Sequence, residues 1–148
     1  MKKVLAIASG GGHWKQLILI SKAFEGCDTR FVTTIEGLPE EEGIKKYNIV
    51  RDSNLNEKIN LIVTFFQVLK IVITFRPNVI VTTGAAPGLL AMMVGRLLMT
   101  KTIWIDSIAN GEELSLGGRI SKKIAHHVFT QWEHLADGEN VKHEGSVF

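Results

Sequence analysis

Val4-Leu5-Ala6-Ile7-Ala8-Ser9-Gly10-Gly11-Gly12-His13 runs from five apolar residues through a glycine cluster to a histidine, and residues 14–24 behind it place Leu17, Ile18, Ile20, Ala23 and Phe24 at helical spacing. A short, continuous apolar run is what a strand buried on both faces looks like, and the change of period after the glycines marks a helix. The unit is strand, glycine turn, helix. The apolar run that follows Met1-Lys2-Lys3 is shorter than the roughly 7–15 residues of a signal-peptide core, so it reads as a first strand and not as a leader.

The same unit recurs downstream. Residues 78–82 form an apolar strand closed by Thr83-Gly84-Ala85-Ala86-Pro87-Gly88, and residues 89–99 follow as a helix. Between the two units lie strands over 29–34 and 48–51, separated by a polar loop over 36–43 that contains Pro39. A fifth strand over 102–105 ends at Asp106-Ser107, a helix covers 117–126, and a sixth strand covers 128–131. Residues 137–148 lack a regular pattern and read as a tail that continues into, or docks onto, another domain. Strands that alternate with helices and are almost wholly apolar predict an α/β fold: a Rossmann-like parallel sheet with helices on both faces. A chain of 148 residues has room for about one such domain, taken here as residues 1–148. In sheets of this kind ligands sit beyond the carboxyl ends of the strands, near the point where strand order reverses.

Residues 59–75 form the most informative helix. Their polar members, Asn60, Thr64, Gln67, Lys70 and Thr74, make one narrow stripe at helical period, so most of the circumference is apolar. Such a helix is either a core helix of the α/β domain or one that also meets a partner or a lipid interface. It makes a poor membrane span, because about 20 mostly apolar residues are wanted and Lys70 stands inside it. Arg76-Pro77 ends it, since proline lacks the amide donor and pushes its predecessor out of helical geometry.

Composition narrows the function classes. The formal charge of +2, from dispersed basic residues, does not support nucleic acid as a partner. A single cysteine, Cys27, can form no internal disulfide and suits a reducing, cytoplasmic compartment. His126, His127 and His134 lack the spacing of a metal site, so no metal and no cofactor is expected. The first glycine turn fails as a dinucleotide fingerprint. Lys15 stands where the third glycine is required, and no acid closes the second strand, only Thr33 and Thr34 with Glu36 beyond.

The candidate site residues gather at the two glycine turns and the end of the fifth strand. Gly10, Gly11 and Gly12 let the backbone turn sharply at a helix start, where free amides favour negative charge. His13 can take a proton from a hydroxyl, or simply cap the helix or face solvent. Thr83 and Gly84 open the second turn on the same edge, which is otherwise an ordinary strand-to-helix turn. Asp106 with Ser107 closes the fifth strand there, as a base or hydroxyl-binding group or equally as a cap. Arg119, Lys122 and Lys123 form a small basic helix side.

The glycine-histidine turn, Arg76-Pro77-Asn78-Val79-Ile80-Val81-Thr82-Thr83-Gly84, Trp104-Ile105-Asp106-Ser107, Ser115-Leu116-Gly117-Gly118-Arg119, and the ending from Gln131-Trp132 to Gly145 together resemble a family. It is that of the polysaccharide biosynthesis glycosyltransferase subunits, typified by the anchoring subunit of dolichol-linked chitobiose synthesis and by bacterial capsule and exopolysaccharide homologues. The likeness covers nearly the whole chain. It implies the amino-terminal half of a GT-B fold, supplied as a separate polypeptide, with a partner glycosyltransferase subunit providing the carboxy-terminal half that binds a UDP-sugar.

The resemblance further implies an inverting transfer to a polyprenyl-diphosphate-linked saccharide, at the inner face of a membrane. His13 and Asp106 would then be catalytic, and Gly10, Gly11, Gly12, Thr83, Gly84 and Ser107 would bind acceptor or phosphate. Asp106 stands where family members more often carry glutamate, which shortens the reach of the carboxylate by one methylene. Eukaryotic members carry an amino-terminal membrane helix that this sequence lacks, so membrane contact would fall to the helices over 59–75 or 89–99. The alternative is a non-catalytic scaffold that recruits and enhances a partner glycosyltransferase.

Overall fold

The structure, a computed structural model, describes residues 1–147. Its sheet is built from β1 (Lys3–Ala8), β2 (Asp28–Thr33), β3 (Tyr47–Ile49), β4 (Val79–Gly84), β5 (Lys101–Ile105), β6 (His127–Phe129) and β7 (Val141–Lys142). The strands lie in the order β3-β2-β1-β4-β5-β6-β7, and every pairing is parallel. Order reverses between β1 and β4, the two strands followed by glycine turns. Along that pair the register shifts at Ile7/Ala8, so that Ala8 meets Gly84. The shift brings the two turns side by side.

Helices cover both faces, as the alternation of strands and helices predicts. On one face α1 (Gly12–Ile20), its 3-10 extension Ser21–Phe24 and the short α2 (Leu38–Glu41) enclose Ala6, Ala8, Trp14 and Leu17. On the other, α3 (Lys58–Phe75) packs along α4 (Ala85–Leu97), and α5 (Leu116–Ser121) packs beside α4. Leu5, Ile7, Ile80, Trp104 and Val128 of the sheet meet Val68, Val72, Leu89, Met92 and Val94 there in the larger core. The middle of β1 is fully buried, which is why it carries no polar residue.

Four expectations are revised. The tail forms a seventh strand, because Asp137 accepts the backbone amides of Glu139, Asn140 and Val141 and turns the chain into β7. Those bonds, Val141's first, hold the Asp137 carboxyl below its ordinary range. Phe148 lies outside the described residues. The loop over 36–43 contains α2, with Pro39 in the first turn where its missing amide costs nothing. The helix expected from residue 89 begins at Ala85, directly after Gly84, and takes Pro87 into its first turn. The helix expected over 117–126 closes at Ser121, where the chain turns so that His126 can exchange bonds with Thr102.

The polar stripe of α3 turns partly inward. Thr64 is fully buried and donates to the carbonyl of Arg51, Gln67 accepts the Arg51 amide, and Asn60 accepts from the Arg51 guanidinium. The stripe ties down the segment that leads from β3, and the outward face is left apolar: Ile59, Ile62, Phe66 and Ile73, interrupted by Lys70. By length and composition α3 could cross a membrane. Val68, Ile71, Val72 and Phe75 face inward and pack it as a layer of this fold.

Candidate active site

A cleft of about 280 Å³ opens at the carboxyl ends of the strands, where their order reverses. His13 forms one side, Ala85, Ala86 and Leu89 of α4 the back, Trp104 the floor, and Asn110, Ser115, Leu116 and Gly117 the other side. Leu55, from the segment before α3, reaches its rim. Several larger hollows lie elsewhere on the surface. One of about 640 Å³ sits at the opposite, amino end of the strands, and one of about 480 Å³ lies over the open apolar sheet face beside α1. None holds any of the sequence-derived candidates except by neighbourhood, so the smaller cleft is the functional candidate.

The His13 side is shaped by backbone conformation. Gly11 caps α1 at φ 80° and Gly84 stands at φ 127°, values that residues with a Cβ rarely adopt. A Cβ on Gly84 would lie 2.9 Å from His13 Nδ1, so only glycine lets the imidazole rest over this turn. His13 and Thr83 then bond reciprocally. The ring Nδ1 lies 3.0 Å from Thr83 O, and the Thr83 hydroxyl donates to His13 O at 2.6 Å. A carbonyl only accepts, so Nδ1 carries a proton, and in the neutral tautomer this contact selects it is Nε2 that has the lone pair. Among the described residues nothing bonds Nε2.

The opposite side is shaped by side-chain hydrogen bonds around Asp106, which is buried. Its Oδ1 accepts from Trp104 Nε1 at 2.9 Å and from Ser115 Oγ at 2.5 Å, and its Oδ2 accepts from Ser115 N at 3.0 Å. Ser115 Oγ in turn accepts from Gly118 N and caps α5. The Trp104 ring lies directly under Gly117, where a Cβ would come within 2.5 Å of it. Asp106 therefore fixes the floor and the far side of the cleft while its own carboxylate is fully engaged.

Of the eight candidates, His13 lines the cleft directly. Thr83 and Gly84 support His13 from beneath. Gly11 caps α1 and Gly12 opens it, both with open space where a Cβ would stand. Gly10 gives its amide to Thr34 Oγ1 and packs on Ile35. Ser107 Oγ accepts from Ala109 N in a local turn, away from the cleft. The residues that sequence reasoning missed are Trp104 and Ser115, together with the buried Gln16 and Gln131. The one available signal was Ser115 three residues ahead of Gly118, a capping pattern at a helix start.

Comparison with known proteins agrees with this architecture. Residues 41–147 match the family of oligosaccharide biosynthesis proteins described as Alg14 like, a span that includes Gly84, Trp104, Asp106 and Ser115. The UDP-N-acetylglucosamine transferase subunit ALG14 of Cryptococcus neoformans is 36% identical over 50 residues, which is 34% of this chain and 22% of that protein. Among solved structures, MurG of Acinetobacter baumannii superposes with a TM-score of 0.81 at 12% identity, over 97% of this chain and 45% of that one. The UDP-N-acetylglucosamine 2-epimerase of Rickettsia bellii gives 0.75 at 16% identity, over 99% and 45%. The S. aureus MnaA–UDP structure gives 0.76 at 14%, over 99% and 44%. The chain thus spans less than half the length of these structures and shares their α/β, Rossmann-like fold, the amino-terminal half of a GT-B arrangement. With most of its length matched, the chain belongs to the Alg14-like family of oligosaccharide biosynthesis proteins.

Proposed function

We propose that this chain, as one domain, is the acceptor- and membrane-side subunit of a two-component inverting glycosyltransferase. The pair transfers a sugar from a UDP-sugar to a polyprenyl-diphosphate-linked saccharide, in exopolysaccharide, capsule or glycolipid synthesis. The observation that carries the reading is His13, pinned through Nδ1–H to Thr83 O over Gly84, with Nε2 left as a base beside a cleft. Family membership supports it, as does a relative named as a UDP-N-acetylglucosamine transferase subunit. The fold shared with MurG, matched over 45% of the MurG chain, is consistent with an acceptor-side domain, and the proposal assigns the donor side to a partner polypeptide.

In this mechanism the acceptor hydroxyl enters the cleft and gives its proton to His13 Nε2 as its oxygen attacks the anomeric carbon. The bond to the UDP oxygen breaks on the opposite side of that carbon, which inverts the configuration. Positioning of the hydroxyl against the base supplies much of the rate. Asp106 contributes by holding Trp104 and Ser115, and the amides of Gly11 and Gly12 face acceptor or phosphate oxygens. The chain sits peripherally on the cytoplasmic face of a membrane. Ile59, Ile62, Phe66 and Ile73 enter the interface there, with the exposed Lys58, Lys70 and Arg76 beside them for anionic headgroups.

A scaffold that only recruits and enhances a partner transferase is the second reading, favoured by the Asp106 carboxylate being fully occupied within the protein. His13→Ala in the co-purified pair separates the two. As general base, His13 is worth about 10²- to 10⁴-fold in turnover, with pairing intact. Turnover preserved in that variant would replace the catalytic reading with the scaffold.

A further inference from the structure

Three residues beyond His13, α1 buries a glutamine that is only 1% exposed. Gln16 Nε2 donates to Asp106 O at 3.0 Å, and Gln16 Oε1 accepts from Ile108 N at 3.3 Å. Burying a carboxamide is unfavourable unless both of its ends are bonded. Both ends of Gln16 bond to one short stretch of backbone, the start of the loop that carries Asn110 and leads to Ser115. Gln131 Nε2 approaches the same Asp106 carbonyl from the other side at 3.5 Å. Trp132 Nε1 donates to Ile108 O at 2.8 Å, and the His134 ring meets Gly111 O. The loop is thus held on the β6 side by its neighbours, and on the α1 side Gln16 supplies both side-chain bonds.

This geometry relates the two sides of the cleft to each other. His13 occupies the first turn of α1 and Gln16 the second, so a rigid helix joins the base to the clasp. Asp106 carries the register onward, since its backbone is held by Gln16 while its carboxylate holds Trp104 and Ser115. We propose that Gln16 is a positioning residue that sets the spacing between His13 and the 110–117 side of the cleft, and hence the placement of the acceptor hydroxyl against Nε2. This rests on the acceptor-side reading of the cleft.

The test uses Gln16→Leu, which keeps the bulk and removes both bonds, and Gln16→Glu, which keeps the acceptor for Ile108 N. Each is co-expressed and purified with the partner subunit. Exchange of the Ile108 amide in Gln16→Leu should quicken by about 10-fold or more while the Leu5 and Ala6 amides of β1 hold their rates. With UDP-N-acetylglucosamine as donor, kcat should fall by about 10-fold or more, with the donor KM within about two-fold of wild type and part of kcat recovered in Gln16→Glu. Unchanged exchange at Ile108 overturns the proposal, as does faster exchange with kcat unaltered. If the β1 amides quicken as well, Gln16→Leu is globally loosened and Gln16→Glu decides by kcat alone: it keeps the acceptor for Ile108 N but loses the bond to Asp106 O, so kcat should still fall below wild type, and kcat at the wild-type level overturns the proposal. A wild-type pair that transfers no sugar defeats the glycosyltransferase reading instead, and the exchange pattern alone then upholds or overturns the clasp.

Discussion

The two sides of the cleft are built by opposite means. On the His13 side, conformation does the shaping: two glycines at positive φ and one reciprocal pair between His13 and Thr83 hold the imidazole over bare backbone. On the Asp106 side a buried carboxylate satisfies an indole, a hydroxyl and an amide at once, and backbone conformation is ordinary. The first arrangement tolerates almost no added atoms yet needs few bonds. The second depends on every bond, and it too leaves no room for a Cβ at Gly117. A loop held by charge-assisted hydrogen bonds is lost when the charge is lost, whereas a turn held by glycine is lost when a methyl is gained.

The largest effect should come from adding that methyl. Gly84→Ala places a Cβ 2.9 Å from His13 Nδ1 at φ 127°, so the imidazole must leave its seat. A displacement of this size should cost about 100-fold in turnover of the assembled pair, while the parallel sheet, read by far-ultraviolet circular dichroism, persists. Turnover within a few-fold of wild type would mean that the ring position over Gly84 is incidental.

Asp106→Asn ranks next and sharpens the contrast. The amide keeps the shape but presents donors to a site that already holds three. Stability should fall by roughly 2–3 kcal/mol in urea unfolding, and Trp104 fluorescence should shift as its indole partner goes. If stability is untouched, the clasp is not what holds that side.

The smallest effect on the cleft belongs to a change on neither side. Ile62→Ser with Phe66→Ser alters an exposed face, Phe66 being 60% exposed, so unfolding should move by less than about 1 kcal/mol and turnover on a soluble acceptor should hold. Co-sedimentation with anionic vesicles should drop sharply. Binding that survives would move the lipid contact away from α3.

Much of the fold is legible in sequence because buried parallel strands must be apolar and glycine turns must be glycine. The runs over 4–8 and 102–105 fall within observed strands, and that over 78–82 falls on β4 from Val79 onward. The Val141–Lys142 strand was not legible, since two residues carry no period and what makes them a strand is pairing with Val128 and Phe129 of β6, after Asp137 turns the chain locally. The site was legible at His13, where a histidine follows three glycines at a helix mouth. Its far side was less so. Asp106 stood out as an acid at a strand end, but its bonds to Trp104 and Ser115 join positions that only the folded β5–α5 connection brings within reach.

By itself the sequence determined the layer architecture, the edge on which the glycine turns and Asp106 fall, and the resemblance to an oligosaccharide biosynthesis family. These are local properties, fixed by period and residue type along short stretches. Tertiary structure alone decided which way each side chain faces: that the α3 polar stripe turns partly inward onto Arg51, that the Asp106 carboxylate is spent within the protein, and that Gln16 spans from α1 to the opposite side of the cleft. The physical reason is that a buried polar group must find its partner wherever packing has placed one, and that place is set by contacts far apart in the chain.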